Sequence, residues 1–265
     1  NRQDSIKAKF VIHANGFLNR PKLPAMKGIN DYQGHTFHTS RWDYDYTGGD
    51  SNGNLENLKD KKVAIIGTGA TAVQCVPHLA ASAKKLYVFQ RTPSSIDERN
   101  NSDTDEKWFK SQKKGWQNDR RENFEGFLTG SFSNRDLVND GWTEIFRTIL
   151  GGLMNNGPSK LKIFSWVISA PFYSDFYKLG MKTYIRNEFM KFISRKDISQ
   201  KVEMIDFQKM EKVRKRAEEI VNDPQTAESL KPYYRQLCKR PCFHDEYLQS
   251  FNNDNVELVD TDGKG

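Results

Sequence analysis

Apolar positions along the chain fall into short unbroken runs and into stripes with helical spacing. The run at residues 63–66 (VAII) is typical of a strand buried on both faces. A second strand is predicted at residues 85–90 (KLYVFQ), and helical sequence lies between them, where Pro77 should kink or shorten the helix. Further strands are predicted at residues 7–16 and 256–259. The pattern predicts an α/β fold built on a strand–helix–strand unit.

Helical spacing dominates the second half of the chain. Residues 108–200 are predicted to be mostly helical, and the apolar stripe at residues 176–193 fits a core face better than the lining of a substrate pocket. Another amphipathic helix is predicted around residues 210–221, ended by Asp223 and Pro224.

A glycine-rich turn follows the first strand directly, in the pattern G-x-G-x-x-A. In a dinucleotide site Gly67 would allow the tight turn, Gly69 would let the backbone approach a pyrophosphate, and Ala72 would let the helix pack closely on the strand. The helix N-terminus would offer free N–H groups to phosphates. The candidate cofactor-binding residues here are Gly67, Thr68, Gly69, Ala70, Thr71, Ala72 and Gln74.

The residue after the second strand indicates which dinucleotide would bind. NAD sites usually carry Asp or Glu there to bind a ribose hydroxyl, but this chain has Arg91, followed by Thr92. A guanidinium pairs with a 2′-phosphate, whereas a carboxylate repels it. The sequence therefore favours NADP(H) over NAD(H). The alternative is an ordinary βαβ unit with a solvated arginine.

Composition and charge narrow the class of protein further. The 265 residues are 28% charged and 12% aromatic, with a net charge of +7, which is typical of a globular protein with a sizeable core. The basic residues are mostly interleaved with acidic ones, as in residues 211–219, which favours a solvated helix face over nucleic-acid binding.

The cysteine pattern favours a reducing compartment. The chain has three cysteines and no secretory signal, so we expect reduced thiols and a cytoplasmic location. Cys238, Cys242 and His244 match no zinc spacing and lack a fourth ligand, so no metal site is predicted. The longest apolar stretch, residues 164–173, is too short to span a bilayer.

Before the glycine turn lies a motif that resembles the fingerprint of Baeyer–Villiger monooxygenases, F-x-G-x-x-x-H-x-x-x-W-[PD]. The matching residues are Tyr32 (in place of Phe), Gly34, His38, Trp42 and Asp43. The related N- and S-oxygenating flavin monooxygenases lack the Trp-Asp ending, so Trp42 and Asp43 favour the Baeyer–Villiger branch.

Two later segments strengthen the resemblance. Residues 89–93 (FQRTP) are similar to the family's NADPH 2′-phosphate segment, so Arg91 and Thr92 would bind that phosphate. Residues 238–256 are similar to the stretch that carries the family's active-site arginine. By this resemblance Arg240 is the catalytic arginine beside the flavin, and Lys239 contacts NADP.

The resemblance implies a Rossmann-like NADP-binding domain with a helical insertion, flanked by partial pieces of an FAD-binding domain. Residues 1–60 would be the end of the FAD domain and the fingerprint linker. Residues 61–240 would be the NADP domain, with its insertion at about 100–200. Residues 241–265 would return into the FAD domain. Because the family's first G-x-G-x-x-G turn is missing, we expect an internal fragment of a longer protein, with the FAD site mostly outside this chain.

The activity implied by the resemblance is Baeyer–Villiger oxidation with FAD and NADPH. One oxygen atom from O₂ enters a ketone or aldehyde and gives an ester or lactone. Arg240 would stabilise the peroxide and the developing oxyanion, since a guanidinium stays protonated. His38 and Trp42 would fix the linker between the two nucleotide domains.

Three alternatives remain open from the sequence. The first is an N- or S-oxygenating flavin monooxygenase. The second is a pyridine-nucleotide reductase, which would need a redox dithiol, and the chain has no C-x-x-C. The third is a non-catalytic NADP-binding module. The substrate and the oligomeric state are not readable from the sequence.

Overall fold

A computed structural model describes residues 5–14, 16, 20–23, 25, 27–129, 135–155 and 196–264. The apolar stripe predicted at 176–193 lies outside these residues. The helices are α1 (Tyr44–Thr47), α2 (Ala70–Ser82), α3 (Glu106–Ser111), α4 (Trp116–Thr129), α5 (Gly141–Asn155), α6 (Lys196–Ile220) and α7 (Pro224–Ser229). The strands are β1 (Lys62–Ile66), β2 (Lys85–Gln90), β3 (Ile96–Asp97), β4 (Cys242–Phe243) and β5 (Val256–Asp260). Short 3₁₀ helices lie at Thr39–Arg41, Glu56–Leu58, Gln236–Cys238 and Gln249–Asn252.

Three parallel strands form the main sheet of the described residues, in the order β1–β2–β5. Strands β1 and β2 pair from Lys62 opposite Lys85 to Ile66 opposite Phe89, and α2 provides the crossover between them. Parallel neighbours require such a crossover, so the predicted strand–helix–strand unit is confirmed. A second, two-stranded parallel sheet pairs β3 with β4.

One face of the main sheet carries the core. Leu86 and Val88 of β2 are fully buried, and they share a buried cluster with Val73 and Val76 of α2. On the other face the β1 residue Ile66 is 62% exposed. The prediction that β1 is buried on both faces is therefore wrong, because β1 is an edge strand of the described sheet and α2 covers one face only.

Helix α2 continues through Pro77 to Ser82, so the proline does not shorten it. Proline removes one N–H, and the bond lost here would have gone to the Val73 carbonyl one turn earlier. Val76 and Leu79, on either side of the proline, are buried in the core. Their burial offsets the missing hydrogen bond.

The C-terminal strand joins the main sheet. Strand β5 pairs in parallel with β2, with Leu86 opposite Val256 and Gln90 opposite Asp260. The assignment of residues 241–265 to an FAD domain stays a prediction. The alternation of Val256 and Leu258 places both on the face that holds the core, where they pack against the buried cluster.

Helix α6 confirms the predicted amphipathic pattern. Its residues Met210, Val213 and Ala217 are each 2% exposed. The helix ends at Ile220, and Asp223 then accepts a hydrogen bond from the Thr226 N–H at the start of α7. The Asp-Pro pair thus begins the next helix rather than only ending the previous one.

The predicted strand at residues 7–16 is absent from the described part of that segment. Phe10, Val11 and Ile12 are 81%, 71% and 90% exposed. A strand is stabilised by hydrogen bonds to a neighbouring strand and by burial of a face. The apolar run has neither here, which explains the wrong prediction.

Candidate functional site

The glycine turn joins β1 to α2. Gly67 has a φ of +100°, a conformation that side chains disfavour, and its N–H donates to the Phe89 carbonyl at 2.9 Å. Gly69 is the N-cap of α2, with φ −70° and ψ 176°. A Cβ atom added at either glycine would meet nothing within 4 Å, so both face open space. The turn leaves room for a ligand at the helix N-terminus.

Of the other residues predicted to bind the cofactor at this turn, some are buried in the core and others are exposed to solvent. Ala72 is buried against the core, as its predicted packing role requires, and Ala70 is half-buried. Thr71 and Gln74 are exposed on α2. Thr68 is buried, and its hydroxyl donates to the Thr92 carbonyl at 2.9 Å.

The contact made by Thr68 joins the glycine turn to the segment after β2. The hydroxyl of Ser94 donates in return to the Thr68 carbonyl. These reciprocal bonds hold the turn and residues 91–95 side by side at the carboxyl ends of the parallel strands. The sequence carried no signal for Ser94, since a lone serine after a strand is unremarkable.

Two cationic side chains, those of Arg91 and Lys239, lie at the segment formed by residues 91–95. Arg91 is exposed directly after β2, and the Lys239 ammonium donates to the Thr92 hydroxyl. Burial, and then the nearby Arg91 guanidinium, lower the pKa of Lys239. An anion placed between the two side chains would relieve their mutual repulsion. We refer to Arg91, Thr92 and Lys239 as the cationic site.

Tyr234 underlies the cationic site and was not found from the sequence. Its hydroxyl donates to the Pro93 carbonyl at 3.0 Å, and its ring centroid lies 4.8 Å from the Lys239 ammonium nitrogen. Burial raises the pKa of Tyr234 to about 12, so the hydroxyl stays protonated. A tyrosine in a loop-rich segment, outside any motif, gives no sequence signal for such a role.

Arg240 follows Lys239 and is exposed. It lies just before β4, whose Cys242 N–H donates to the Ser95 carbonyl at 3.0 Å. The pairing of β4 with β3 therefore brings the chain that follows Arg240 beside the chain that follows Arg91 and Thr92. The structure brings together the glycine turn, residues 91–95 and residues 239–240, which are three separate predictions from the sequence.

The fingerprint residues form a local network around α1. The Trp42 indole donates to the Thr47 hydroxyl at 3.0 Å, and Asp43 accepts from the Tyr46 N–H at 3.0 Å. His38 Nδ1 accepts from the Ser40 N–H at 3.2 Å. Each of these bonds is local, so the network fixes the shape of this segment. Tyr32 and Gly34 are exposed, with the Tyr32 ring against the Gly34 backbone.

His35 is a member of this network that the fingerprint does not include. Its Nε2 lies 2.9 Å from the Asp43 carboxylate, and its ring stacks on Tyr46 at 3.8 Å. Asp43 therefore binds two partners, one with each oxygen.

The cysteines carry no cross-link. Cys75, Cys238 and Cys242 are free thiols, and burial raises the pKa of Cys75 and Cys242. Within the described residues no cluster of His, Cys, Asp or Glu has the composition of a metal site. None of the helices in the described ranges has both the length and the apolar character needed to cross a bilayer.

The chain is thus an α/β protein in which the open glycine turn and the cationic site lie at the carboxyl ends of parallel strands, where α/β folds bind ligands. No protein-family model matches the chain. The chain is, however, 49% identical over all 265 residues to the Baeyer–Villiger monooxygenase ATR8 of Stachybotrys chlorohalonatus, of which it covers 37%. It is 48% identical over 265 residues to the neopentalenolactone D synthase of Streptomyces avermitilis, of which it covers 39%.

Solved structures agree with these relatives. The polycyclic ketone monooxygenase of Thermothelomyces thermophila matches 95% of the chain with a TM-score of 0.70 and 39% identity, over 36% of its own length. OTEMO in complex with FAD and NADP matches 94% of the chain with a TM-score of 0.55 and 26% identity, over 41% of its own length. Over its whole length the chain is similar to Baeyer–Villiger monooxygenases, as the resemblance predicted. It spans about two fifths of the length of the curated relatives it matches.

Proposed function

We propose that this chain supplies NADPH binding and an active-site arginine to an FAD- and NADPH-dependent Baeyer–Villiger monooxygenase, which inserts one oxygen atom from O₂ into a ketone or aldehyde. The observation that carries the proposal is the contact of Lys239 with Thr92 beside Arg91. Two cations at the end of β2, near enough for Arg91 to lower the pKa of Lys239, suit a phosphate monoester, which is the group that distinguishes NADPH from NADH.

The glycine turn would bind the rest of the dinucleotide. The pyrophosphate would lie at the N-terminus of α2, where the N–H groups of Ala70, Thr71 and Ala72 have no partner within the helix. Open space at Gly67 and Gly69 would let it approach the backbone. Gln74, one turn further along the exposed side of α2, would contact the same ligand. The hydrogen bond from the Thr68 hydroxyl to the Thr92 carbonyl would fix the glycine turn relative to Arg91 and Thr92.

Arg240 would act on the reacting oxygen atoms. Its guanidinium stays protonated at any working pH, so it can stabilise negative charge that develops on oxygen. Its place next to Lys239 would couple that charge to the bound nucleotide. FAD, when bound, would supply the oxygen-activating chemistry, and its site would lie mostly outside residues 1–265. A relative of 26% identity is solved with FAD and NADP.

The fingerprint segment would serve as the linker. The bonds of Trp42 to Thr47 and of Asp43 to Tyr46 would hold its shape, and His38 would close the turn at Ser40. The nucleotide domain would begin near residue 61 and carry its helical insertion at about residues 100–200. Since β5 joins the main sheet, we extend the domain to include Val256–Asp260. The three free thiols favour a cytoplasmic location.

Nucleotide titration of the chain tests the proposal. Calorimetry with NADPH and then NADH should show a clear preference for NADPH. Arg91→Ala should weaken NADPH by about 1–3 kcal/mol, the value of a charged hydrogen bond, and leave NADH nearly unchanged. Equal losses for both nucleotides would show that Arg91 does not contact the 2′-phosphate. Binding of NADPH without oxygenation by a longer protein, of the length of the relatives, that carries this chain would instead favour the non-catalytic module.

A separate assay on that longer protein tests Arg240. Arg240→Ala should still allow NADPH to be oxidised but should abolish formation of the ester or lactone. Arg235→Ala, a change at an exposed arginine nearby that pairs with Glu203, is the control. A normal product yield from Arg240→Ala would reject the assigned role. Oxygenation of amines or sulfides in place of ketones would favour the N- or S-oxygenating branch.

A further inference from the structure

Tyr234 contacts Lys239 of the cationic site and also the chain directly after Arg91 and Thr92. Through its hydroxyl it binds the Pro93 carbonyl at 3.0 Å, which fixes the chain just after Arg91 and Thr92. Through its ring it faces the Lys239 ammonium, at 4.8 Å from the centroid. One side chain thus links two segments that are far apart in sequence, and this link falls where their charges converge.

Without the Tyr234 ring, two properties of Lys239 would act against keeping its ammonium beside Arg91. Arg91 repels the ammonium, as the lowered pKa of Lys239 reflects after the effect of burial. A lysine side chain also has a flexible stem with many rotamers, and Lys239 is exposed. The aromatic face attracts a cation at this distance. The ring and the Thr92 hydroxyl together hold the ammonium in place against the repulsion from Arg91.

We propose that Tyr234 is a specificity-determining positioning residue, which holds the Lys239 ammonium beside Arg91 so that the two cations receive a phosphate monoester on the nucleotide ribose. The inference rests on the proposed NADPH binding and extends it to a residue outside the motifs. Tyr234 acts through Lys239 and has no role in binding the part of the nucleotide that NADPH and NADH share. Its loss should therefore reduce discrimination between NADPH and NADH rather than affinity for both.

The ring and the hydroxyl can be tested separately. Tyr234→Phe keeps the aromatic face and should change NADPH affinity by no more than about 3-fold. Tyr234→Leu removes the face and should weaken NADPH by about 5- to 10-fold, with NADH unchanged, since a partly exposed cation–π contact has about that worth. Lys239→Met should weaken NADPH at least as much, and adding Tyr234→Leu to it should cost nothing more.

The adjacent Tyr233 provides a matched control. It is 69% exposed and its hydroxyl binds Glu228, so Tyr233→Leu should leave both affinities unchanged. All titrations use the whole chain, with circular dichroism as the check on folding. If Tyr234→Leu does not fold, Tyr234→Met, which keeps the bulk without an aromatic face, takes its place.

The outcomes distinguish a failure of the Tyr234 inference from a failure of the proposed NADPH binding. Equal losses of NADPH and NADH in Tyr234→Leu would show a general structural role and overturn the inference. So would a Phe variant as damaged as the Leu variant, because the hydroxyl rather than the ring would then be responsible. A wild-type chain that binds NADPH no better than NADH would overturn the proposed function itself, and this inference with it.

Discussion

The Asp245 carboxylate joins the chain after β4 to the loop after β3. It accepts hydrogen bonds from three consecutive backbone N–H groups, those of Arg99 at 2.8 Å, Asn100 at 3.0 Å and Asn101 at 3.1 Å. Asn100 has a φ of +50°, a conformation that asparagine tolerates. The loop after β3 is thus wrapped around a side chain that follows β4. Asp245→Asn should loosen the connection between the two segments.

The size of the effect follows from these bonds. A hydrogen bond to a charged group contributes about 1.5–3 kcal/mol when sheltered, but water competes at the half-exposed Asp245. We therefore expect about 2 kcal/mol for the set. An amide keeps one acceptor oxygen but points an NH₂ group at a backbone donor. Asp245→Asn should lower the free energy of unfolding by about 1–2 kcal/mol, and Asp245→Ala by about 2 kcal/mol.

The effect should depend on pH with a defined sign. Burial opposes ionisation of Asp245, but the N–H groups of Asn100, Asn101 and Arg99, with the Arg216 charge, lower its pKa overall below the ordinary 3.8. A carboxyl with a lowered pKa in the folded state stabilises the fold above its unfolded pKa. That stabilisation is lost as the pH falls through the folded pKa. The gap between wild type and Asp245→Asn should be full at pH 7 and should shrink below about pH 4.

Urea unfolding at pH 7 and at pH 3 measures the gap, with Asp254→Asn as the control at an exposed aspartate. Hydrogen exchange gives a local measurement. The amides of residues 99–101 should exchange faster in Asp245→Asn, while those of β2 should not. Unchanged stability at pH 7 would refute the reasoning. A gap of the same size at both pH values would also refute it, because the ionised carboxylate would then not be the source.

Three further predictions concern stability and the glycine turn. Leu86→Ala, at a fully buried position near the start of β2, should lower the free energy of unfolding by about 2–5 kcal/mol in urea unfolding; a loss under 1 kcal/mol would contradict the packing. Lys209→Met leaves Asp97, 2.6 Å from the ammonium, without its counter-charge and should cost about 2–4 kcal/mol, of which a double variant with Asp97→Asn should recover part. Gly67→Ala should cost about 1–2 kcal/mol through its φ of +100°, whereas Gly69→Ala, at φ −70°, should cause no such backbone strain and should weaken NADPH binding in calorimetry; a thermally neutral Gly67→Ala would contradict the strain.

The parts of this fold that the sequence predicted well are those with a local cause. Residues 85–90 form β2 as predicted, since Leu86 and Val88 alternate along the strand and present one apolar face to the core. The turn at Gly67 could be located because only glycine suits its backbone. The fingerprint at Trp42 and Asp43 is likewise a set of short-range bonds.

What escaped prediction depends on contacts distant along the chain. The apolar run at residues 7–16 has strand composition, but composition does not reveal whether a neighbouring edge exists. The partner of β5 could not be read from residues 256–259, because periodicity gives a strand's faces and not its neighbour. Tyr234 was missed for the same reason, since its contacts to Pro93 and Lys239 join segments that only the fold brings together.

The parallel pairing of β2 with β5 has a consequence for the order in which the protein forms during synthesis. Gln90 and Asp260 are 170 positions apart, yet their side chains share a hydrogen bond at 3.2 Å, and the Thr261 N–H binds the Gln90 carbonyl at 2.8 Å. A ribosome that has released β1, α2 and β2 still holds the strand that completes their sheet. For that interval β2 has an unprotected edge, which is a site for aggregation or chaperone binding. Nascent chains arrested before residue 256 should therefore be far more prone to associate than those arrested after β5 has emerged.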